Sequence, residues 1–324
     1  SATSINENMA SGSTVGTLTS TDVDAGSTFT YSLSGTDAAS FTITGSTLKT
    51  AAVFNFEAKS SYAITITTTD QGSLTFTKNF TISVNDVNEA PTDITLSANS
   101  INENMASGST VGTLSSVDPD SANSWTYTLG GTDAASFSIT GSTLKTAASF
   151  NYEAKNSYSI TITSTDQGSL AYAKVFTITV NDVNEKPVLS GGDTTKVTPE
   201  DTAVSINLAS ASDPDAGNTM TYSIVVSPSN GSLGSLPSNP AVGVSVTYTP
   251  SADFNGSDSF TYTVCDNLNL CGTSQTVTIS ITAVNDSPTF TTISNQTINE
   301  DTNTGALSFT IADVDNTVQC SQVT

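Results

Sequence analysis

The sequence predicts an all-β chain of tandem Greek-key β-sandwich domains, set end to end in a rod. Three observations predict it. Residues 5–91 align without a gap on residues 101–187, an offset of 96, so that INENMASGSTVGTL at 5–18 returns at 101–114. Short runs inside each repeat alternate apolar and polar residues, and turn-forming residues punctuate them. Helical periodicity is nearly absent. A period near 96 is too long for a solenoid unit and suits a sandwich that buries its own core.

The elements follow in chain order. Phe29-Thr30-Tyr31-Ser32-Leu33, Ala63-Ile64-Thr65-Ile66-Thr67 and Phe80-Thr81-Ile82-Ser83-Val84 each put apolar side chains on one face and Thr or Ser on the other. That is the period of a half-buried strand. Gly35-Thr36-Asp37, Thr44-Gly45-Ser46 and Asp70-Gln71-Gly72 mark turns between such runs. Asp37-Ala38-Ala39-Ser40-Phe41 predicts one turn of helix. The lone Trp125 stands where the first repeat has Phe29 and is predicted to be core. The domains are expected at 1–90, 91–186, 187–286 (divergent) and 287–324 (the start of a fourth repeat). No signal peptide opens the sequence and its last repeat is incomplete, so an interior piece of a longer protein is expected.

Composition narrows the function. Thirty acidic residues stand against eight basic ones, all Lys, for a net charge of −22, with no His. Such a chain lacks the basic clusters that bind nucleic-acid phosphates or anionic membranes. No run reaches the ~18 apolar residues of a membrane span. Without His a Ser-His-Asp arrangement is impossible in these residues, and no enzyme activity is expected. Cys265 and Cys271 flank a short polar turn and could close a disulfide or remain free thiols, while Cys320 is left over. A disulfide fits an oxidising, extracellular setting.

The acids fall at segment ends. In the first repeat Glu7, Glu57, Asp86 and Glu89 can share one pole of a sandwich, and Asp22, Asp24 and Asp70 the other. Stacked domains then bring Glu7, Glu57, Asp86 and Glu89 against Asp118, Asp120 and Asp166. Two carboxylates 4 Å apart repel by about 4 kcal/mol at an effective dielectric near 20. Cations relieve such crowding. Calcium takes six to eight hard oxygen ligands in flexible geometry, and Asn88 and Asn184 add side-chain oxygens. Zinc and copper lack their usual ligands here. A solvated acidic surface would scatter its charges, whereas these recur at fixed D-x-D and D-x-N-E spacings.

These residues resemble the cadherin repeat. INEN around Glu7, DVD at Asp22 and Asp24, FNFE ending at Glu57, TTDQGS around Asp70 and VNDVNEAP at 84–91 match its P-E-N, D-x-D, L-D-R-E, A-x-D-x-G and D-x-N-D-N-x-P elements. The resemblance implies calcium bound between successive domains, which stiffens the array. It assigns Glu7, Asn55, Glu57, Asp86, Asn88 and Glu89 with Asp118, Asp120 and Asp166 to a first junction. It assigns Glu103, Asn151, Glu153, Asp182, Asn184 and Glu185 with Asp213, Asp215 and Asp266 to a second. Asn55 and Asn151 replace an Asp of the family, and the linker is one residue short. The third unit, with YTPSADFNGSDSFTYTVCD at 248–266 and VNDSP at 284–288, resembles the cadherin-like tandem domains of large bacterial surface proteins. VNDSP lacks the N-E step, so the third junction, Glu200 and Asp286 facing Asp313 and Asp315, is expected to hold fewer ions. Asp22, Asp24 and Asp70 form an open half-site.

The expected function is therefore a calcium-rigidified stalk or adhesive segment on a bacterial cell surface. Neighbouring repeats of the same chain are its first partners, with homophilic, surface-protein or glycan ligands beyond them. The alternative is a calcium-containing carbohydrate-binding module, which needs exposed aromatic platforms. Tyr62, Tyr158, Tyr172 and Phe76 alternate instead as core or cross-strand residues would.

Overall fold

A computed structural model describes residues 3–24, 26–120, 124–237, 244–307 and 309–315. Cys320 lies outside them. Seven strands form the first repeat: β1 (Ser4–Asn6), β2 (Thr14–Thr17), β3 (Phe29–Ser34), β4 (Phe41–Thr44), β5 (Thr47–Thr50), β6 (Ser61–Asp70) and β7 (Thr75–Asn85). They make two facing sheets, ordered β1-β7-β6-β3 and β2-β5-β4. The predicted turn of helix is a 3-10 turn, Ala38–Ser40.

The second repeat has β8 (Asp93–Leu96), β9 (Ser100–Asn102), β10 (Thr110–Val117), β11 (Thr126–Gly130), β12 (Phe137–Thr140), β13 (Thr143–Thr146), β14 (Ser157–Thr165) and β15 (Ala171–Asn181). Its sheets are β11-β14-β15-β9 and β12-β13-β10-β8. These two repeats fall in one compact unit, Ser1–Asp182; the second unit is Val183–Thr324. That unit contains β16 (Val188–Ser190), β17 (Thr195–Pro199), β18 (Val204–Asn207), β19 (Ser210–Ser212), β20 (Thr221–Val226), β21 (Gly231–Leu233), β22 (Ser245–Pro250), β23 (Gly256–Cys265) and β24 (Gln275–Thr282). A short pair, β25 (Thr289–Phe290) and β26 (Ile311–Ala312), follows. Cys265 and Cys271 are bridged.

Alternation decides which faces meet. In β14 the residues Tyr158, Ile160, Ile162 and Ser164 point inward and are buried, while Ser157 and Ser159 face solvent. In each of the first two repeats the core is capped by three aromatic rings. Phe54 stacks on Tyr62 with centroids 4.3 Å apart, and Phe41 meets both edge-on. Phe150, Tyr158 and Phe137 repeat the arrangement. All of these rings but the half-buried Tyr62 are buried, and packed rings of this kind are not exposed sugar platforms. Phe76, read above as core or cross-strand, lies opposite Thr68 across β6 and β7 and is 67% exposed, so it is not core. Trp125 also departs from expectation. It precedes β11, is only half-buried and stays outside the buried cluster of the second sandwich.

Candidate metal centre

The first and last strands of each sandwich place the acids. β1 runs parallel to the end of β7, with Ile5 opposite Val84. The Glu7 N–H therefore donates to the Asn85 carbonyl (3.1 Å), and Glu7 sits beside the segment leaving the sandwich. Asn8 follows in the left-handed region, φ 59°, as do Asn104, Asp201 and Asp301 after their glutamates. Asn and Asp tolerate that region where larger side chains do not. The Asn8 N–H donates to the Phe54 carbonyl (3.0 Å), so the buried Phe54 ties the loop carrying Glu57 to the loop carrying Glu7.

Glu7 is buried. Its Oε1 accepts the Val87 N–H (2.8 Å) and its Oε2 the Phe56 N–H (2.7 Å). Carboxylate oxygens of Glu7, Glu57 and Asp86 lie within 4.8 Å of one another, as do those of Glu57, Glu89 and Asp120. Across the junction the Glu89 N–H donates to Asp120 Oδ2 (2.8 Å), and Asn88 Nδ2 donates to Asp166 Oδ2 (2.8 Å). Asp118 Oδ1 accepts the Asp120 N–H (3.0 Å), which fixes the D-x-D pair. Gly168 permits the close seat of Asn88: a Cβ there would stand 2.5 Å from the Asn88 side chain.

This cluster is short of positive charge. Burial pushes the Asp86 carboxyl above its ordinary range, and Asp120 and Glu7 push it further. Glu89 is also raised, by burial first; the hydrogen bond from Asn8 opposes this, and Glu7, Glu57 and Asp120 add to it. Glu89 Oε2 and Asp118 Oδ2 are buried without a hydrogen-bond partner. Leaving a buried carboxylate oxygen unpaired is costly. A divalent cation satisfies such oxygens, and the all-oxygen donor set of carboxylates and amides fits calcium.

The expected ligands of the second junction divide between the two compact units. In the first unit Glu103 is buried and its Oε2 accepts the Tyr152 N–H (2.8 Å), while Glu153 and Asp182 are exposed. In the second, Asn184 Nδ2 donates to Asp266 Oδ2 (2.7 Å), the Glu185 N–H to Asp215 Oδ2 (2.7 Å) and the Asp215 N–H to Asp213 Oδ1 (3.0 Å). Burial raises the Asp266 carboxyl, but hydrogen bonds from Asn184, Leu270 and Leu268 outweigh it and hold the group low. Asp213 Oδ2 is a further buried oxygen without a hydrogen-bond partner.

At the third junction the hydrogen bonds correct the sequence alignment. VNDSP shares its first three letters with VNDVNEAP, which would equate Asp286 with Asp86. Yet Glu200 Oε1 accepts the N–H of Val284 (2.6 Å), as Glu7 accepts that of Val87. The Asp286 N–H donates to Asp315 Oδ2 (2.5 Å), as that of Glu89 donates to Asp120. Asp286 thus occupies the place of Glu89, and Ala283 that of Asp86. The missing carboxylate is the first of the linker, not the N-E step. Carboxylate oxygens of Glu200, Asp286 and Asp315 still lie within 4.8 Å, and Asp286 Oδ2 is buried without a hydrogen-bond partner. Asp286 is raised by burial, then by Asp315, Asp253, Asp201 and Glu200. Asp313 Oδ1 accepts the Asp315 N–H (3.0 Å), the same D-x-D turn.

Other expected ligands are placed differently. Asn55 and Asn151 lie in exposed turns, where Oδ1 accepts the N–H of Ala58 or Ala154 (2.6 Å each). An amide oxygen accepts two such bonds, so each keeps capacity for a cation. Asp22 and Asp24 form the D-x-D turn (3.0 Å), and Asp70 Oδ1 accepts the Leu74 N–H (2.8 Å), the geometry of the opposite pole. Asn8, whose Nδ2 donates to Glu89 Oε1 (2.6 Å), and Asp201, whose Oδ1 accepts the Asp253 N–H (3.1 Å), escaped sequence reasoning. Their signal was the polar residue following each glutamate.

The Cadherin domain family matches residues 1–85 and 98–181, and the Bacterial Ig domain family matches 184–282. No curated protein sequence matches the chain. Among solved structures it is similar to the extracellular cadherin domains 1-5 of protocadherin gamma B2 (22% identity, TM-score 0.61, 87% of this chain and 59% of that one). It is also similar to mouse protocadherin-24 EC1-3 (20%, 0.56, 87% and 98%) and mouse cadherin-23 EC22-24 (19%, 0.57, 87% and 96%). The chain spans less than two thirds of the protocadherin gamma B2 structure, and at these identities the likeness is one of fold. With two tandem matches over more than half its length, the chain belongs to the cadherin domain family.

Proposed function

We propose that this chain is a calcium-binding structural or adhesive segment of an extracellular bacterial surface protein, with four successive sandwich units at 1–90, 91–186, 187–286 and from 287 onward. Glu7, Glu57, Asp86, Glu89, Asp118, Asp120 and Asp166 hold calcium at the first junction. Glu200, Asp286, Asp313 and Asp315 hold it, in smaller number, at the third. The sequence repeats the same residue types at Glu103, Glu153, Asp182, Asn184, Glu185, Asp213, Asp215 and Asp266. Calcium supplies positive charge that ties facing carboxylates together, and so stiffens the joints. The observation that carries the proposal is the set of buried carboxylate oxygens without hydrogen-bond partners on Glu89, Asp118, Asp213 and Asp286, of which Glu89 and Asp286 belong to clusters of three close carboxylates. The bacterial setting is supported by the Bacterial Ig match, and the adhesive role by the cadherin family itself.

Calorimetric titration of chelator-treated protein tests it, with small-angle scattering before and after. Calcium is expected to bind with greater affinity than magnesium and to narrow the distribution of maximum dimensions. No heat and an unchanged scattering curve would sink the proposal. The third junction gives a second check. Ala283→Asp restores the absent carboxylate, and native mass spectrometry is expected to count one more calcium ion per chain. An unchanged count contradicts the alignment of Ala283 with Asp86.

A further inference from the structure

Asp70, Asp166 and Asp266 stand at one place in three hairpins. Each N–H donates to the carbonyl of the Leu four residues on, Leu74, Leu170 or Leu270 (3.0 Å in all three), and each Oδ1 accepts the N–H of that Leu (2.8, 2.9 and 2.8 Å). The first two hairpins carry their ladder up to the turn. Thr69 pairs with Thr75 at the end of β6 and β7, and Thr165 with Ala171 at the end of β14 and β15.

In the third hairpin the ladder stops early. The last regular pair of β23 and β24 is Tyr262 with Gln275, and Cys265 with Cys271 is an isolated pair beyond it. Between the two, Thr263 and Val264 face Gly272, Thr273 and Ser274, so one strand carries an extra residue. A bulge of this kind disrupts the ladder locally and bends the strand. The linker entering the domain passes there: a Cβ on Gly272 would stand 2.3 Å from the Pro187 carbonyl oxygen. The tip beyond the bulge gains little from packing, because Leu268 and Leu270 are exposed and stay outside the buried cluster of this sandwich. Yet Asp266 is buried, and its Oδ2 accepts Asn184 Nδ2 (2.7 Å), by which the hairpin holds the linker. The disulfide lies between the bulge and this turn, one residue ahead of Asp266, in the places of Thr69 and Thr75.

We propose that the Cys265–Cys271 disulfide is a positioning device for Asp266. It replaces the rungs lost at the bulge, closes the hairpin at its tip and keeps Asp266 aimed at the linker. Its effect on calcium rests on the function proposed above; its effect on the turn does not. Cys271 is exposed, within reach of a dithiol reductant. In the exchange the dithiol passes two electrons and two protons to the two sulfurs, leaves two cysteine thiols and itself becomes a disulfide. Reduction then slackens the turn of Asp266 alone, because the turn of Asp166 has an unbroken ladder and no cysteine.

Hydrogen–deuterium exchange of the full chain in chelator, with and without dithiothreitol, tests the clamp. The Leu268 and Leu270 amides both bond to Asp266 Oδ1, and on reduction they are expected to exchange about tenfold faster or more. The Leu170 amide and those of residues 257–262 are expected to keep their rates. Cys265→Ser combined with Cys271→Ser is expected to reproduce the change without reductant. Calcium titration of that double variant is expected to show about tenfold weaker binding at one class of sites and unchanged affinity at the rest. Unchanged exchange at 268–270 overturns the proposal. Faster exchange spread evenly over β23 and β24 also overturns it, since a bond that merely stabilises the sandwich loosens all of it when cut. Local loosening with no calcium bound in either form sinks the function proposed above and leaves the clamp standing. Local loosening with unchanged calcium affinity overturns the part of the disulfide at the metal site.

Discussion

Under the proposed function, removing calcium is expected to lower the melting temperature of the first compact unit by roughly 5–10 °C per occupied site. This follows because a ligand at a hundredfold its dissociation constant stabilises by about 2.7 kcal/mol, and each kcal/mol is worth about 2–4 °C in a unit of this size. Scanning calorimetry in calcium and in chelator measures it. The sharper expectation is a change of sign. Asp86 faces Asp120 and Glu7 with no Lys in the cluster. Asp86→Asn therefore relieves repulsion and raises stability in chelator. In calcium the same substitution removes a ligand and lowers stability. A residue with a merely structural part would shift both conditions the same way, so a shift of one sign throughout contradicts the ligand assignment.

The second large effect lies in the second unit, away from any junction. Asp258 is buried on the inward face of β23, where an apolar residue is expected. It accepts N–H groups from Ser229 (3.0 Å), Asn230 (2.9 Å) and Ser259 (2.8 Å), and the Tyr248 hydroxyl (2.8 Å). Asp258→Ala removes the shared acceptor of three backbone N–H groups and is expected to cost about 3–5 kcal/mol, read by denaturant unfolding of the second unit. Tyr248→Phe removes one donor only and is expected to cost about 1–2 kcal/mol. A loss below that of Tyr248→Phe would show the carboxylate to be replaceable.

The pH dependence has a definite sign. Burial raises the Asp258 carboxyl, but its hydrogen bonds from Ser229, Tyr248, Asn230 and Ser259 prevail, and it is held below its ordinary value of 3.8. A group depressed in the folded state stabilises fully above the unfolded value and loses that contribution as pH falls through the folded one. The difference between wild type and Asp258→Ala is therefore expected to stay flat from neutral pH to about 5 and to shrink below 3.8. A difference that narrows near neutral pH would contradict this assignment.

The sequence by itself determined the repeat and its strands. A period of 96 with two-residue alternation leaves little freedom once one face must be buried, and the acids then fall at the poles because they interrupt no apolar face. Glu7, Asp86, Glu89 and Asp120 were legible for that reason. Other features depended on contacts between segments distant in sequence. Local letters equate VNDSP with VNDVN, but the register is set by Glu200 reaching the Val284 N–H across the parallel pairing of β17 and β24. Asn55 has the chemistry of a ligand, and only the fold shows its oxygen accepting the Ala58 N–H of its own turn. Phe76 alternates like its neighbours and stands exposed, whereas its counterpart Tyr172 packs on the core of the second sandwich. Asp258 reads as one more surface acid, and only the folded chain brings the N–H groups of Ser229 and Asn230 to it. Patterned burial is encoded locally. Which donor meets which oxygen is decided by the packing of segments far apart in the chain.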